Sequence, residues 1–350
     1  MRVPAARAAP AAALLILTAL SACDNVEWGG ASVQIVKPPP AGGEAPAAPD
    51  PGTVAGLDLP RGAVLFHVTR SPNGGARLVP VAEISADSLR TIRKPSGVAP
   101  EAYESRFRAA VMPTNAQFVL FRRGAQVGTL TVQAPAASTA CGVPTASGQA
   151  ITVAAAAAET EFLAFRKGLE PDVMGEYAPP QVQGTIRRYG PLVAERLVLA
   201  GGLPRPRSWT GAQRDLQALD AERGGHPEMA ATFLVGDNLG LGAGEPDGWS
   251  VFYLASYESR TGYNPFYSEV RRYDRTGKAA PKLVDHLNWN GQGESELLVQ
   301  VFGPREAWYE AISKDRGTWR KVWEAGRCID VQTPTGRETV GAAERTAPAR

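Results

Sequence analysis

The chain has 350 residues, of which 37 are basic, 35 are acidic and three are cysteine. This length is sufficient for two domains with buried cores, and the near-balance of charge excludes both a nucleic-acid binder held by a strong net field and a highly charged, wholly disordered chain. No apolar run reaches the ~20 residues needed to span a bilayer, which excludes a polytopic membrane protein.

Residues 1–22 have the organisation of a secretory signal. Arg2 and Arg7 provide a positive end, and Ala11–Leu20 provides an apolar stretch that is too short to cross a bilayer. The stretch ends in Leu20-Ser21-Ala22-Cys23, which resembles the lipobox of bacterial lipoproteins. The resemblance implies cleavage before Cys23, acylation of its thiol and attachment to a membrane through lipid chains. The alternative is ordinary cleavage after residue 22 beside an incidental cysteine.

The predicted location is the cell envelope, facing the periplasm or the outer surface. Asp24 follows the acceptor cysteine and resembles the inner-membrane retention signal of enteric bacteria, but other bacteria need not read it so, and the choice of membrane stays open. Cleavage removes Arg2 and Arg7 and leaves 35 basic residues against 35 acidic ones. A neutral mature chain argues against long-range electrostatic capture of nucleic acid.

The two remaining cysteines predict a disulfide bond. With Cys23 acylated, only Cys141 and Cys328 are left, and the compartment beyond the inner membrane is oxidising. A Cys141–Cys328 bond closes a loop of about 190 residues, and loop-entropy arithmetic gives it ~4–5 kcal/mol of stabilisation. The alternative is a pair of buried free thiols.

Both ends of the mature chain are poor in large apolar residues. Residues 23–60 contain Pro38-Pro39-Pro40 and the proline-rich Ala45–Pro51, a composition that favours extended polyproline II and predicts a tether between lipid and domain. Residues 333–350 are predicted to form a disordered tail.

Residues 61–150 are predicted to form a small β-sandwich or barrel. Turn formers separate short apolar runs, and Arg123-Gly124 marks a tight hairpin between the last two of them. Pro100–Ala110 is predicted to be a short helix. The predicted strands are Ala63–Thr69, Arg77–Ile84, Ala116–Arg122 and Gln126–Gln133.

Residues 151–228 are predicted to be a helical connector. Alanine propensity favours a helix over Ala154–Lys167, and helical spacing of apolar residues favours another over Ile186–Leu199, with Pro191 in the first turn of its main part. Ser208–Arg223 begins with a predicted serine N-cap and ends at a glycine pair.

Residues 229–332 are predicted to form an aromatic-rich antiparallel meander, which makes the whole chain α+β and mainly β. Sixteen of the 26 aromatic residues lie between Trp209 and Trp323, where they favour cross-strand packing. The predicted strands are Ala231–Val235, Ser250–Tyr257, Tyr267–Tyr273, Glu296–Phe302, Trp308–Ser313 and Trp319–Trp323.

One segment of this meander, Leu287–Val299, resembles the loop and strand of FG-GAP or VCBS-type repeats, which are blade elements of β-propellers. The matching positions are Asn288, Asn290, Gln292, Gly293, Glu296 and Leu297. The resemblance implies a blade-like fold and a calcium loop, but amides replace three of the carboxylates that hard cations prefer. Calcium is therefore a weak prediction, with Asn288, Asn290, Gln292 and Glu296 as its ligands, and the alternative is a turn held by asparagine and backbone hydrogen bonds.

The motifs of common catalytic sites are missing from the sequence. It contains no G-x-S-x-G elbow, no P-loop or G-x-G-x-x-G, no paired histidines and no zinc-binding cysteine spacing. Asp237, Glu245 and Asp247 are candidates for glycosidic chemistry, and His286 is a candidate base. These four residues support an envelope hydrolase as the alternative function.

Two groups of residues predict binding instead. Trp249, Trp289 and Trp308 are candidates for a stacking platform that receives a sugar or a protein, with core packing as the alternative. A basic stretch over residues 90–123 is a candidate surface for anionic headgroups or glycans, with solvated strand edges as the alternative. Its cations are Arg90, Arg93, Lys94, Arg106, Arg108, Arg122 and Arg123.

The sequence therefore favours a lipid-anchored, non-catalytic cell-envelope protein that binds a protein or a glycan. No nucleic acid is expected as a partner, and no cofactor is expected beyond the weak calcium prediction. The alternative hypotheses are an envelope hydrolase and a purely structural spacer.

Overall fold

The computed structural model describes residues 57–327, except 86–87, 96–97, 140, 174, 180–183, 223–226 and 292, and the backbone of two short strands before them. The predictions for Cys23, Cys328, Gln292 and the C-terminal tail lie outside the described residues. The two short strands, Glu27–Trp28 and Ala31–Ser32, pair antiparallel within the predicted tether. They belong to a separate unit, residues 1–55, and everything below concerns residues 56–350.

The first part of this unit is a closed six-stranded antiparallel β-barrel, which decides between the predicted sandwich and barrel. The order around the barrel is β1-β7-β4-β5-β6-β2, and β2 pairs again with β1 to close it, while β3 extends β2 outside the barrel. The strands are β1 (Val64–Arg70), β2 (Gly75–Ser85), β3 (Ser88–Thr91), β4 (Gln117–Arg122), β5 (Ala125–Ala136), β6 (Thr145–Thr152) and β7 (Glu161–Arg166).

The barrel is apolar on both sides of its wall. Phe162 and Ala164 of β7 lie in the interior core, whereas Leu163 and Phe165 belong to a second core on the outside. Helix α1 (Pro100–Val111) adds Tyr103, Phe107 and Val111 to the interior core, at the four-residue spacing of one helix face. The outer core shows that another layer covers this wall.

That layer is the second of two four-stranded antiparallel meanders. The first meander contains β8 (Gln213–Leu219), β9 (Glu228–Val235), β10 (Trp249–Glu258) and β11 (Gly262–Arg272), and the second contains β12 (Ala280–Leu287), β13 (Glu296–Phe302), β14 (Ala307–Asp315) and β15 (Thr318–Glu324). Three helices accompany them: α2 (Gly184–Ala200), α3 (Trp209–Ala212) and α4 (Tyr273–Thr276).

The layers stack in the order α2, first meander, second meander, barrel. Phe233 of the first meander shares a core with Val193 of α2. Phe252, on the opposite face, packs in one core with Val299 of the second meander. The other face of the second meander joins the outer wall of the barrel, and Leu298 lies in that core. The period-2 alternation of the strands therefore places a core on each side of both sheets. The predicted class, α+β and mainly β, is confirmed.

Two predicted helices are wrong. Over Ala154–Lys167, a single 3₁₀ turn precedes strand β7, and over Ser208–Arg223 the one-turn helix α3 leads into strand β8. Helix propensity is a weak preference that burial overrides, and β7 must supply apolar residues to both sides of the barrel wall. The predicted connector consequently shrinks: the barrel extends to Arg166 and the first meander begins at Gln213.

Helix α2 confirms the predicted helix over Ile186–Leu199, but Pro191 is placed wrongly in that prediction. The helix begins at Gly184, so Pro191 lies in its interior rather than in a first turn. The hydroxyl of Tyr253 donates a hydrogen bond of 2.6 Å to the carbonyl of Gly190 beside it. This bond satisfies a backbone acceptor at a point where proline disturbs the helical ladder. In the described part of the chain, no helix is long and apolar enough to cross a membrane.

Candidate functional site

The three tryptophans predicted as a stacking platform lie in the core. Trp249, Trp289 and Trp308 are 1%, 7% and 3% exposed. Trp289 packs between the second meander and the barrel, and Trp308 packs between the meanders, where its Nε1 donates 2.8 Å to Glu310 Oε1. The platform prediction is wrong because all three side chains are buried in cores, with Trp249 in the core between α2 and the first meander.

The predicted calcium loop is closed by its own glutamate. Glu296 is buried and its Oε2 accepts a hydrogen bond of 2.9 Å from the backbone N–H of Trp289. Burial raises the pKa of Glu296 to about 7, which favours the neutral carboxyl over the anion that a hard cation needs. Among the described residues, no cluster of three or more His, Cys, Asp or Glu is arranged to hold a metal ion.

The four candidate catalytic residues are not gathered into one site. Asp237 is buried and occupied, since it binds Lys278 Nζ at 2.5 Å and accepts from the Tyr273 hydroxyl at 2.6 Å. Glu245 and Asp247 are exposed in the same loop. His286 lies on β12, where the strand advances about 20 Å from Ala280 at its start. His286 is itself buried, and burial lowers the pKa of its imidazole.

A network of buried and partly buried charges lies where the barrel meets the second meander, in a group of residues that we call the charged seam. It contains Arg122, Glu159, Glu161 and His67 of the barrel part, and Lys282, Asp285 and Tyr309 of the second meander. Lys282 Nζ lies 2.6 Å from Glu161 Oε2, and His67 Nδ1 lies 2.7 Å from the Tyr309 hydroxyl oxygen. Burial lowers the pKa of His67 to about 4, so its imidazole is neutral at pH 7.

Arg122 is the centre of the charged seam. Its side chain is 7% exposed. Its Nε donates a hydrogen bond of 2.9 Å to Glu159 Oε2, and its Nη1 donates one of 2.6 Å to the carbonyl of Val284. Asp285 lies 3.4 Å from the same Nη1 and accepts the backbone N–H of Arg123 at 2.9 Å. That N–H is available because the hairpin turn between β4 and β5 has positive φ at both central residues, as in a type I′ turn. The seam joins the two parts through paired charges.

A cavity of about 380 Å³ lies elsewhere, beside the disulfide-bonded Cys141. We call it the cationic cavity. Its walls come from β2, from the chain after β3, from the turn at residues 139–143 and from residues 325–327 after β15. Its apolar lining residues are Pro80, Val81, Ile92, Val143 and Ala325, and its charged ones are Arg93, Lys94 and Arg327. Within the described chain, no acidic side chain lines it.

The three cations of this cavity differ in the contacts that their charged groups make with the rest of the protein. Arg327 stacks its guanidinium over the ring of Trp308 at 5.0 Å and lies 3.9 Å from Glu324. Lys94 Nζ donates 3.3 Å to the carbonyl of Val98. Arg93 is exposed, and its side chain has no ion-pair partner in the described part of the chain. Arg93 is thus the cation most available to a ligand.

Glycine holds the Arg93 guanidinium against the cavity wall. A Cβ placed on Gly326 would lie 2.8 Å from Arg93 Nη2 and 3.2 Å from its Cζ. Such a distance is shorter than atomic contact allows, so only a residue without a side chain permits this close approach. The guanidinium therefore lies directly on the residue that forms one wall of the cavity.

Cys141 forms part of the same lining. It is disulfide-bonded, and its possible partners, Cys23 and Cys328, both lie outside the described residues. Residues 325–327 share the cavity with Cys141 and lead directly into position 328, which favours Cys328. The predicted Cys141–Cys328 pairing stays a prediction. A turn in which the Val143 N–H donates 3.1 Å to Thr139 Oγ1 fixes the backbone on either side of Cys141.

A second depression on the barrel contains carboxylates that are already paired. Glu83 accepts hydrogen bonds from the backbone N–H groups of Arg61 and Gly62 at 2.6 and 2.7 Å, and Arg90 binds both Glu83 and Asp58. Burial acts to raise the pKa of Glu83, but the Gly62 and Arg90 hydrogen bonds outweigh it and hold that pKa below its ordinary value. These ion pairs anchor the entry of the chain into the barrel.

The cations of the basic stretch therefore have different partners and different exposure. Arg122 lies in the charged seam, and Arg123 lies beside it with its Nε 3.6 Å from Glu159. Arg90 pairs with carboxylates, and Arg108 lies 3.3 Å from Glu104 on α1. Arg106 is exposed on α1, and Arg93 with Lys94 faces the cationic cavity. The sequence indicated a basic excess but not this division, because the partners come from distant strands.

Comparisons of the chain with known protein families, with curated proteins and with solved structures found no match. The resemblance of Leu287–Val299 to FG-GAP or VCBS-type repeats stays a prediction.

Proposed function

We propose that this chain is a lipid-anchored, non-catalytic protein of the cell envelope that binds its ligand in the cationic cavity. The observation that carries the proposal is the cavity itself, which combines an apolar lining with a cation, Arg93, that has no ion-pair partner among the described residues. Convergence of a few polar groups on a concave apolar site is the usual form of a small-ligand site.

Support for the anchor comes from the N-terminal sequence. The charged end, the short apolar stretch and Leu20-Ser21-Ala22-Cys23 are the parts of a lipoprotein signal. More than one acyl chain on Cys23 gives stable membrane attachment, because each buried CH₂ contributes about 0.8 kcal/mol. Proline-rich residues 23–60 would then separate the barrel from the bilayer.

Support for a binding role rather than catalysis comes from how the candidate reactive groups are used. Asp237 neutralises Lys278, and the imidazole of His286 is buried away from solvent. A general base must reach a substrate proton within about 3 Å, and a general acid–base pair must converge. The four residues of the hydrolase reading lie on two well-separated parts of the first and second meanders.

The anchor is tested by labelling cells that express the full chain with an alkyne analogue of palmitate. We expect label on the wild-type protein in the membrane fraction, and neither label nor membrane retention for Cys23→Ser. The matched control is Ser21→Thr, which keeps a small hydroxyl residue two positions before Cys23 and leaves Cys23 itself in place. Equal labelling of Cys23→Ser would contradict the anchor.

The binding role is tested by site-specific photo-crosslinking in intact cells. A photoreactive phenylalanine analogue replaces Thr91, which lines the cavity, or Arg106, which lies exposed on α1. We expect a discrete small-molecule mass added at position 91 and none at position 106. Equal adducts at both positions, or none at either, would contradict a ligand in the cavity.

A further inference from the structure

We infer that the ligand of the cationic cavity is a small amphipathic anion, with an apolar body and a carboxylate or phosphate head that Arg93 binds. The inference deepens the proposed function, on which it rests, by naming the chemical class of the ligand. It depends on three features of the cavity: its apolar floor, its size and the arrangement of its cations.

The floor of the cavity is aliphatic. Val81 belongs to the core between the barrel and the second meander, and Ile92 and Val143 belong to the interior core of the barrel. Each of these side chains is buried, so the floor is a fixed surface of packed residues. Covering such a surface with the apolar part of a ligand is favourable, because it removes apolar area from water.

The size of the cavity limits the ligand to a small molecule. Its 380 Å³ lies within the range of small-ligand pockets, roughly 300–1,000 Å³. A medium-length alkyl chain with its head group fits this volume, whereas a folded protein or a long glycan does not.

Two of the cations, Arg93 and Lys94, are consecutive residues in the cavity lining. Arg93 places its planar guanidinium against Gly326, with its donors free of any carboxylate among the described residues. A guanidinium presents parallel N–H donors that match the two oxygens of a carboxylate or phosphate. Lys94 adds a second positive charge to the lining, with its stem against Gly142. Both features favour an anionic head over a neutral one.

Arg327 has a supporting role rather than a recognition role. Its guanidinium is turned toward the Trp308 ring and toward Glu324. These contacts hold the 325–327 wall of the cavity against the second meander. Gly326 on that wall leaves room for the Arg93 guanidinium to lie against it. The head-group site consequently depends on Arg93 first and on Lys94 second.

The inference is tested by calorimetric titration of the full chain carrying Cys23→Ser, prepared without detergent. The probes are decanoate, decyl phosphate, decan-1-ol and decyltrimethylammonium, each below its micelle concentration. We expect both anions to bind with one-to-one stoichiometry, decan-1-ol to bind at least about tenfold more weakly, and the cation not to bind. The ratio between decanoate and decyl phosphate distinguishes a carboxylate from a phosphate source.

Two matched variants locate the head-group site. Arg93→Gln should weaken decanoate binding about five- to tenfold, while Arg106→Gln, which removes the same charge from α1, should leave it unchanged. Equal binding of decan-1-ol and decanoate, or no effect of Arg93→Gln, would overturn the anionic class and leave the binding role standing. No binding of any decyl probe would overturn both the inference and the proposed ligand site.

Discussion

The charged seam and the cationic cavity contain cations from the same basic stretch of sequence, and the fold uses them in opposite ways. In the seam, Arg122 is almost fully buried and its guanidinium contacts two carboxylates and a carbonyl. In the cavity, Arg93 is exposed and has no carboxylate partner among the described residues. The number of positive charges in a segment thus says little about binding until the partners of each one are known.

The energetic meaning of the two regions differs as well. A buried ion pair adds little net stability, because desolvation offsets attraction, but removal of one partner leaves a buried charge without compensation. An exposed arginine without a partner contributes almost nothing to folding. Substitution of a single partner should therefore cost stability in the seam and ligand affinity in the cavity.

The largest expected effect comes from the covalent wall of the cavity. Loop-entropy arithmetic gives the predicted Cys141–Cys328 disulfide about 4–5 kcal/mol, so Cys328→Ser should lower the free energy of unfolding by about that amount. Urea unfolding of the full chain measures it. Cys23→Ser is the control and should leave the free energy of unfolding unchanged. A loss with Cys23→Ser instead would identify position 23 as the partner of Cys141.

In the seam, Arg122→Met should cost about 3–5 kcal/mol of unfolding free energy, because Asp285 and Glu159 lose their compensating cation in a buried place. Arg106→Met removes an exposed cation and should change stability by less than about 0.5 kcal/mol. Urea unfolding of the two variants at one pH gives the comparison. Equal free energies of unfolding for the two variants would show that the Arg122 ion pairs are not needed for stability.

The seam should also make the protein sensitive to acid through His67. Its pKa in the folded state is about 4, below the ordinary 6.5, so the unfolded state takes up a proton first as the pH falls. The contribution of His67 is fully present above pH 6.5 and is lost between pH 6.5 and pH 4, by on the order of 3 kcal/mol.

The measurement is the difference in unfolding free energy between the wild type and His67→Gln, followed from pH 7 to pH 4. Glutamine can keep a hydrogen bond to Tyr309 but does not titrate. Because burial raises the pKa of Glu228 and Glu296 to about 7, these groups favour the folded state at lower pH, in both proteins alike. A constant difference between the two proteins would contradict the role of His67.

The smallest effect on stability is expected at the cavity wall. Gly326→Ala places a methyl group against the end of the flexible Arg93 side chain, which can move away. We expect less than about 0.5 kcal/mol change in unfolding free energy and a several-fold weaker binding of decanoate. The control is Gly184→Ala, because a Cβ at Gly184 would meet open space. Gly317→Ala does not serve, because the φ of 83° at Gly317 strains any residue with a side chain. A fall in stability without a change in binding would contradict the placement of Arg93.

The sequence predicted the local features of the fold well. Strand β13 lies at the predicted residues, Glu296–Phe302, and the Arg123-Gly124 hairpin forms as expected. Such features depend on alternation and turn chemistry within a few residues. Strand β7 was missed because its neighbours on the barrel, β1 and β4, are distant in sequence and because the alanines before it favour a helix.

The candidate site could not be predicted for the same reason. Arg93-Lys94 stood out only as part of a basic stretch, and residues 325–327, which complete the cavity, lie more than 200 positions later. Trp289 was expected to be exposed because polar residues surround it in the sequence. The outer wall of the barrel covers it, and no pattern within Leu287–Val299 reports that contact.

The central claim is that the folded state requires the buried Arg122 to keep its carboxylate partners, whereas Arg93, which has no such partner among the described residues, binds the ligand. It is tested most directly by measuring unfolding free energy and decanoate affinity for Arg93→Gln and Arg122→Gln side by side. The account predicts that Arg93→Gln loses affinity about five- to tenfold at unchanged stability, while Arg122→Gln loses about 3–5 kcal/mol of stability. Equal loss of stability in both variants, or unchanged affinity in Arg93→Gln, would contradict it.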